Sequence, residues 1–159
     1  MKYITILLLL YCNLLSCQKT IPNISITSYE GVSVKIQDEL TDEKITILSF
    51  WATWCVPCKE ELPDLSLLKS KIKKYNIDVF TISIDKKDIK DQLKFLSNNG
   101  ASNLNHFFDK EMKIFKALKL RGIPTTIIVN QNSFIISKHE GILKWGEDAI
   151  INKIKSLFY

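Results

Sequence analysis

The stretch Phe50-Trp51-Ala52-Thr53-Trp54-Cys55-Val56-Pro57-Cys58-Lys59-Glu60-Glu61-Leu62-Pro63 joins two segments of opposite periodicity. Before it, Ile45 to Phe50 is an apolar, β-branched run of the kind required by a strand buried on both faces of a parallel sheet. After it, Leu62, Leu65, Leu68 and Ile72 recur at helical spacing towards Tyr75, and Pro63 inside that pattern is expected to kink the helix. Asp78 to Ile84 reads as the next strand. A right-handed crossover makes the two strands parallel. The two cysteines then fall at the carboxyl end of a central strand, where open α/β sheets gather their ligands and chemistry.

On the amino-terminal side, Ile24 to Thr27 and Ser33 to Ile36 are short β-prone runs separated by a turn at Glu30-Gly31, which together suggest a hairpin. An acidic loop, Asp38 to Glu43, follows. On the carboxyl side, Ile89 to Ser97 reads as a helix with Leu93 and Leu96 inward, ending at Asn98-Asn99-Gly100 in a left-handed cap. His106 to Phe108 reads as a short extra strand, and Met112 to Leu120 as a third helix stopped by Arg121-Gly122-Ile123-Pro124. Thr126 to Asn130 and Phe134 to Lys138 form an antiparallel hairpin over Gln131-Asn132-Ser133, and Trp145 to Phe158 closes the chain as an amphipathic helix. A chain of 159 residues, 46% of them hydrophobic, suits one globular domain with a short additional segment.

That additional segment is at the amino terminus. Lys2 supplies a positive charge, and Tyr3 to Leu15 is almost wholly apolar over the length of a signal-peptide core. It is short for a membrane-spanning helix. Leu14-Leu15-Ser16-Cys17 resembles the lipobox of bacterial lipoproteins, which implies acylation of Cys17 and a lipid anchor on the outside of a membrane. Residues 1–17 are therefore expected to be a signal peptide and lipobox, residues 18–22 a tether, and residues 23–159 the domain. The formal charge of +5 comes from lysines scattered along the chain and gives no nucleic-acid groove. The densest group, Lys69, Lys71, Lys73 and Lys74, reads as a solvated helix face.

Export makes the cysteine count informative. Cys12 would leave with the apolar segment and Cys17 would carry lipid, so Cys55 and Cys58 remain. A disulfide closing so short a loop restricts the unfolded chain little, so the pair is better explained by reactivity than by stapling. Zinc is a poor fit, because only His106 and His139 could join the cysteines and they are not spaced as a ligand pair. Each histidine is expected at a surface or sheet edge, and no metal and no cofactor is expected.

At the start of a helix, Cys55 faces unpaired backbone N–H groups and the positive end of the helix dipole, which favour its thiolate. The thiolate is the attacking species, so Cys55 is the expected nucleophile and Cys58, one turn on, the resolving thiol. Pro57 suits the first helical turn, where its missing N–H is not needed. Sites of this kind span about −270 to −120 mV, so a disulfide oxidase or isomerase remains open beside a reductase. A non-enzymatic metal chaperone on the same scaffold remains open as well.

The quoted segment resembles the active-site segment of thioredoxin-like proteins of the TlpA/ResA type. The likeness implies a thioredoxin-like α/β fold: a central mixed sheet flanked by helices, with an inserted helix and strand near Ile89 to Phe108 and an amino-terminal hairpin. Gly122-Ile123-Pro124-Thr125 matches the loop that carries the family's cis-proline, which implies a cis Pro124 opposite the cysteines and Ile123 backbone groups offered to an extended client. Glu61 matches a family acid near the cysteine pair, suited to proton transfer. Ser49 stands where thioredoxin has a buried aspartate, which leaves Glu61 as the nearest group for that task. Trp54 is expected to cover the site as an apolar lid and, with Pro57, to meet the client; Trp51 fits the core equally well. The resemblance further implies a disulfide-containing client, such as apocytochrome c or a copper-site protein, and a membrane thiol carrier as electron donor.

Overall fold

The computed structural model describes residues 19–40 and 45–158. The expected signal segment, Cys12, Cys17, Gln18 and part of the acidic loop lie outside the described residues. Among those described, no helix is long and apolar enough to cross a membrane.

Ser25–Ser28 (β1) and Ser33–Lys35 (β2) pair as the amino-terminal hairpin, turning through Gly31 at a φ of 83°, a conformation that suits glycine. Next comes one helical turn, Ile36–Glu39 (α1), where the acidic residues suggested a loop. Burial of Ile36 and Leu40 draws this turn onto the core. Ile45–Trp51 (β3), Val56–Ile72 (α2) and Ile77–Ser83 (β4) are the central strand-helix-strand unit, with β3 and β4 parallel from Ile45↔Ile77 to Trp51↔Ser83. Every residue of β3 is buried, as its composition requires. α2 continues through Pro63 without a break.

Ile89–Asn98 (α3) and Asn105–Phe108 (β5) are the inserted helix and strand, and β5 lies parallel to β4 in the interior of the sheet. Lys113–Ala117 (α4) leads to Thr125–Val129 (β6) and Ile135–Glu140 (β7), an antiparallel pair, and Asp148–Lys155 (α5) precedes a final 3₁₀ turn. The strand order is β2-β1-β5-β4-β3-β6-β7. β6 runs antiparallel to β3, with Thr125 opposite Phe50, so the start of β6 and the end of β3 share one end of the sheet. This is the mixed thioredoxin-like sheet.

Several elements differ from expectation for identifiable reasons. α4 is five residues long rather than spanning Met112 to Leu120, because Met112 and Lys119 both adopt left-handed φ values, 57° and 52°. The Asp109 carboxylate accepts the N–H groups of Lys113, Ile114 and Phe115 and so sets where α4 starts. The last helix begins at Asp148, which leaves Trp145 in the preceding loop. Lys69 bonds Asp78 at 3.0 Å, and Lys71 bonds Asp148 and the Gly146 carbonyl, so part of the lysine face ties elements together.

His106 is the clearest correction. It is buried on the interior strand β5, not at a surface or edge, with Nδ1 2.7 Å from the Thr81 hydroxyl. Burial, helped by the Lys69 charge, lowers its pKa to about 4, so the ring is neutral at physiological pH. His139 is half-buried on the edge strand β7.

Lys19 to Pro22, expected to be a tether, are instead bonded into the domain. Thr20 pairs with Phe134, the Ile21 N–H donates to Ser133 and the Ile135 N–H donates to Lys19. The Ile21 side chain is fully buried, and Gln37 donates to the Ile21 carbonyl over 2.6 Å. The domain therefore includes these residues rather than starting at residue 23. Replacing Ile21 with alanine should cost about 2–4 kcal/mol in urea unfolding, the penalty of a core truncation. A change of only a few tenths would mean that the segment is a loose tether after all.

Candidate active site

β3 ends at Trp51, and the turn Ala52 to Trp54 carries the chain into α2. Asp85, just beyond β4, clips this turn in place: its Oδ2 accepts the Thr53 N–H at 3.0 Å and the Thr53 hydroxyl at 2.5 Å. Burial alone would raise the Asp85 carboxyl, but the bonds from Thr53 and Lys87 outweigh it and hold the group below its ordinary value. The clip joins the end of β4 directly to the approach of the cysteines.

Cys55 is the N-cap residue of α2, with extended backbone, and Pro57 lies in the first turn. The Cys55 sulfur accepts the Cys58 N–H at 3.2 Å, the bond that an N-cap side chain makes to an unpaired amide of the first turn. The two cysteines are joined as a disulfide. In this form Cys55 is only 5% exposed and Cys58 is 1% exposed. Around them Trp54 is 65% and Val56 68% exposed, so Trp54 projects as apolar surface rather than closing down as a lid. Trp51 belongs to the core, stacked on Phe95.

Glu61 follows Cys58 by one helical turn on the same face of α2 and is 1% exposed. Its Oε1 accepts the Trp145 indole N–H at 2.5 Å and the Leu143 N–H at 3.2 Å. Burial pushes the carboxyl up to about 7, against the lowering effect of those two bonds. The acid can thus hold or release a proton near neutral pH. Ser49 is buried on β3 and brings no carboxylate beneath the site.

The Ile123–Pro124 peptide bond is cis. Pro124 is buried and Ile123 half-buried, at the start of β6 and hence at the end of the sheet where β3 delivers Cys55. The Thr125 hydroxyl donates to the Gly122 carbonyl and closes the loop, and the Gly141 N–H donates to the Pro124 carbonyl. The structure therefore gathers Cys55, Cys58, Trp54, Pro57, Glu61 and the Ile123–Pro124 loop at one end of the sheet. Cys17 is outside the described residues. Sequence reasoning missed Asp85, Leu143 and Trp145. A lone aspartate after the β4 run was the only available signal for the first, and nothing local marked the other two.

A model of the AhpC/TSA family matches residues 17–138, from before β1 into β7. The chain belongs to the AhpC/TSA family. The chain is 27% identical over 119 residues to the thiol-disulfide oxidoreductase ResA of Halalkalibacterium halodurans, covering 75% of this chain and 65% of that protein's length. It is 32% identical over 120 residues to the thiol:disulfide interchange protein HelX of Rhodobacter capsulatus, covering 75% of this chain and 64% of that one. In three dimensions it superposes on a thiol:disulfide interchange protein DsbE from Chlorobium tepidum, with a TM-score of 0.77 and 24% identity, over 91% of this chain and 99% of that one. The last likeness concerns the fold. Leu143 and Trp145, which bond Glu61, lie beyond the stretch that matches the AhpC/TSA model.

The raised carboxyl makes a signed prediction. Between the ordinary value of 4.5 and about 7, folded Glu61 keeps its proton while the unfolded chain has released it, so stability falls as pH rises through that window. The loss approaches about 3 kcal/mol by pH 8 and should be absent in Glu61→Gln. Denaturant titrations of both proteins from pH 4 to 8 check this, and parallel pH curves would mean that Glu61 titrates as an ordinary surface acid.

Proposed function

We propose that this protein is an exported, membrane-tethered thiol-disulfide oxidoreductase that reduces disulfides in a client protein. The observation that carries the reading is the Cys55 sulfur seated on the first turn of α2 with the Cys58 N–H pointing at it. In the reduced protein that arrangement stabilises a thiolate on Cys55. The names of the curated relatives, thiol-disulfide oxidoreductase and thiol:disulfide interchange protein, agree with this chemistry.

The Cys55 thiolate attacks one sulfur of the client disulfide, forming a mixed disulfide and expelling the other client sulfur as a thiolate. Cys58 then loses its proton and attacks the Cys55 sulfur. The mixed disulfide breaks, the second client thiolate leaves, and the Cys55–Cys58 disulfide forms. The client gains two electrons and, with two protons, two thiols. Glu61, one turn from Cys58 and with a pKa near neutrality, takes up the Cys58 proton and returns it to the leaving sulfur. Trp54, Val56, Pro57 and the Ile123–Pro124 loop offer the apolar face on which an extended client segment lies. Electrons return from a membrane thiol carrier, since Cys55 and Cys58 are the only cysteines beyond residue 17. Apocytochrome c or a copper-site protein fits as client. The apolar run Tyr3 to Leu15 and the Leu14-Leu15-Ser16-Cys17 sequence support export and a lipid anchor.

Cys55→Ser should lower reduction of a model disulfide by roughly a thousandfold or more, the scale of losing a nucleophile. Cys58→Ser should accumulate a mixed disulfide with its client in cells, identified by mass spectrometry. Undiminished turnover by Cys55→Ser rejects the assignment, and a potential near −120 mV points to an oxidase instead.

A further inference from the structure

Thr126 on β6 is 1% exposed, and its hydroxyl oxygen has no hydrogen-bond partner. Buried hydroxyls left unbonded are rare in folded proteins and ask for an explanation. This one borders a cavity of about 310 Å³ between the β6–β7 pair and α5. Trp145, Ile150 and Ile154 form much of its apolar wall. His139, the cross-strand neighbour of Thr126, and Lys153 on α5 supply polar groups beside it. Lys138 also lines it but is paired with Glu140, whereas Lys153 has no acidic partner among the described residues. No aspartate or glutamate lines the cavity.

The volume is at the lower end of small-molecule pockets and about twice that of an apolar cavity known to stay dry and accept an aromatic guest. A single water on Thr126 would bond the hydroxyl but leave the apolar wall uncovered. An amphiphile meets both demands, and a lining with cations but no anions selects a negatively charged one.

We propose that this cavity is a binding site for a small aromatic or branched aliphatic monocarboxylate. Its apolar body lies against Trp145, Ile150 and Ile154. Its carboxylate accepts the Thr126 hydroxyl and sits between His139 and Lys153. The site also carries a route to the redox centre, because Trp145 and Leu143 line the cavity and donate the two hydrogen bonds to Glu61. Occupancy would therefore alter the setting of Glu61 without touching the cysteines.

The test is titration of the disulfide form of the protein with 2-naphthoate, followed through the Trp145 indole N–H resonance, with 2-naphthylmethanol as the uncharged control. Saturable binding is expected below about 1 mM, about tenfold weaker for the alcohol. Thr126→Val and Lys153→Ala should each weaken naphthoate binding by roughly fivefold, a modest hydrogen-bond or ion-pair loss. Lys153 is exposed, so its alanine variant keeps the test valid should the core substitution fail to fold. Ile154→Trp, which fills the cavity, should abolish binding. No saturable shift up to about 5 mM, equal affinity for the alcohol, or undiminished binding by both Lys153→Ala and Ile154→Trp would each overturn the proposal. The binding readout uses no thiol exchange, so its failure and the failure of the redox reading, read from turnover, give separate results.

Discussion

The first turn of α2 leaves amide donors without carbonyl partners, and one of them, the N–H of Cys58, points at the sulfur of Cys55 over 3.2 Å. A thiolate at that position gains a hydrogen bond and the positive end of a 17-residue helix. Much of the surrounding structure serves to keep this geometry. β3 is buried along its full length and delivers the chain to the helix start in a fixed direction. Asp85 binds both the N–H and the hydroxyl of Thr53, so the turn between strand and helix has little freedom to move Cys55.

A second arrangement works against stability and for chemistry. Glu61 is held out of water beneath the cysteines, and burial raises it to about 7 despite two hydrogen bonds. Its bonds come from Leu143 and Trp145, in the loop between β7 and α5, so the carboxyl end of the chain is fastened to the active-site helix. Lys71 strengthens the same seam through Asp148 and the Gly146 carbonyl. A Cβ on Gly146 would come within 2.8 Å of the Leu67 side-chain tip, so a larger residue there requires Leu67 to turn aside. The buried acid satisfies the Trp145 and Leu143 N–H groups while keeping a carboxyl near neutrality one turn from Cys58.

How much of this was legible in the sequence follows from how local each feature is. The central strand-helix-strand unit was readable because its periodicities are properties of short windows, and the hairpins because Gly31 and the 131–133 turn are local signals. Cys55 and Cys58 were readable from spacing and helix position, and Glu61 and the cis bond at Pro124 from family resemblance alone. What was missed depends on distant partners. Asp85 meets Thr53 across 32 positions, and Trp145 meets Glu61 across 84. Ile21 looked like part of a polar tether because its burial is created by the β6–β7 hairpin, more than a hundred residues later. His106 looked like an edge residue because nothing in its short strand shows that β1 pairs on one side and β4 on the other. α4 was overextended because left-handed turns at Met112 and Lys119 are not helix-breaking residue types.

Titration of the Cys55 thiol tests the account most directly. In a Cys58→Ala variant, thiolate absorbance near 240 nm followed against pH should give a Cys55 pKa at least about one unit below the free-cysteine value of about 8.5. A value at or above about 8.5 would contradict it, because the helix start would then be doing nothing for the sulfur on which the chemistry depends.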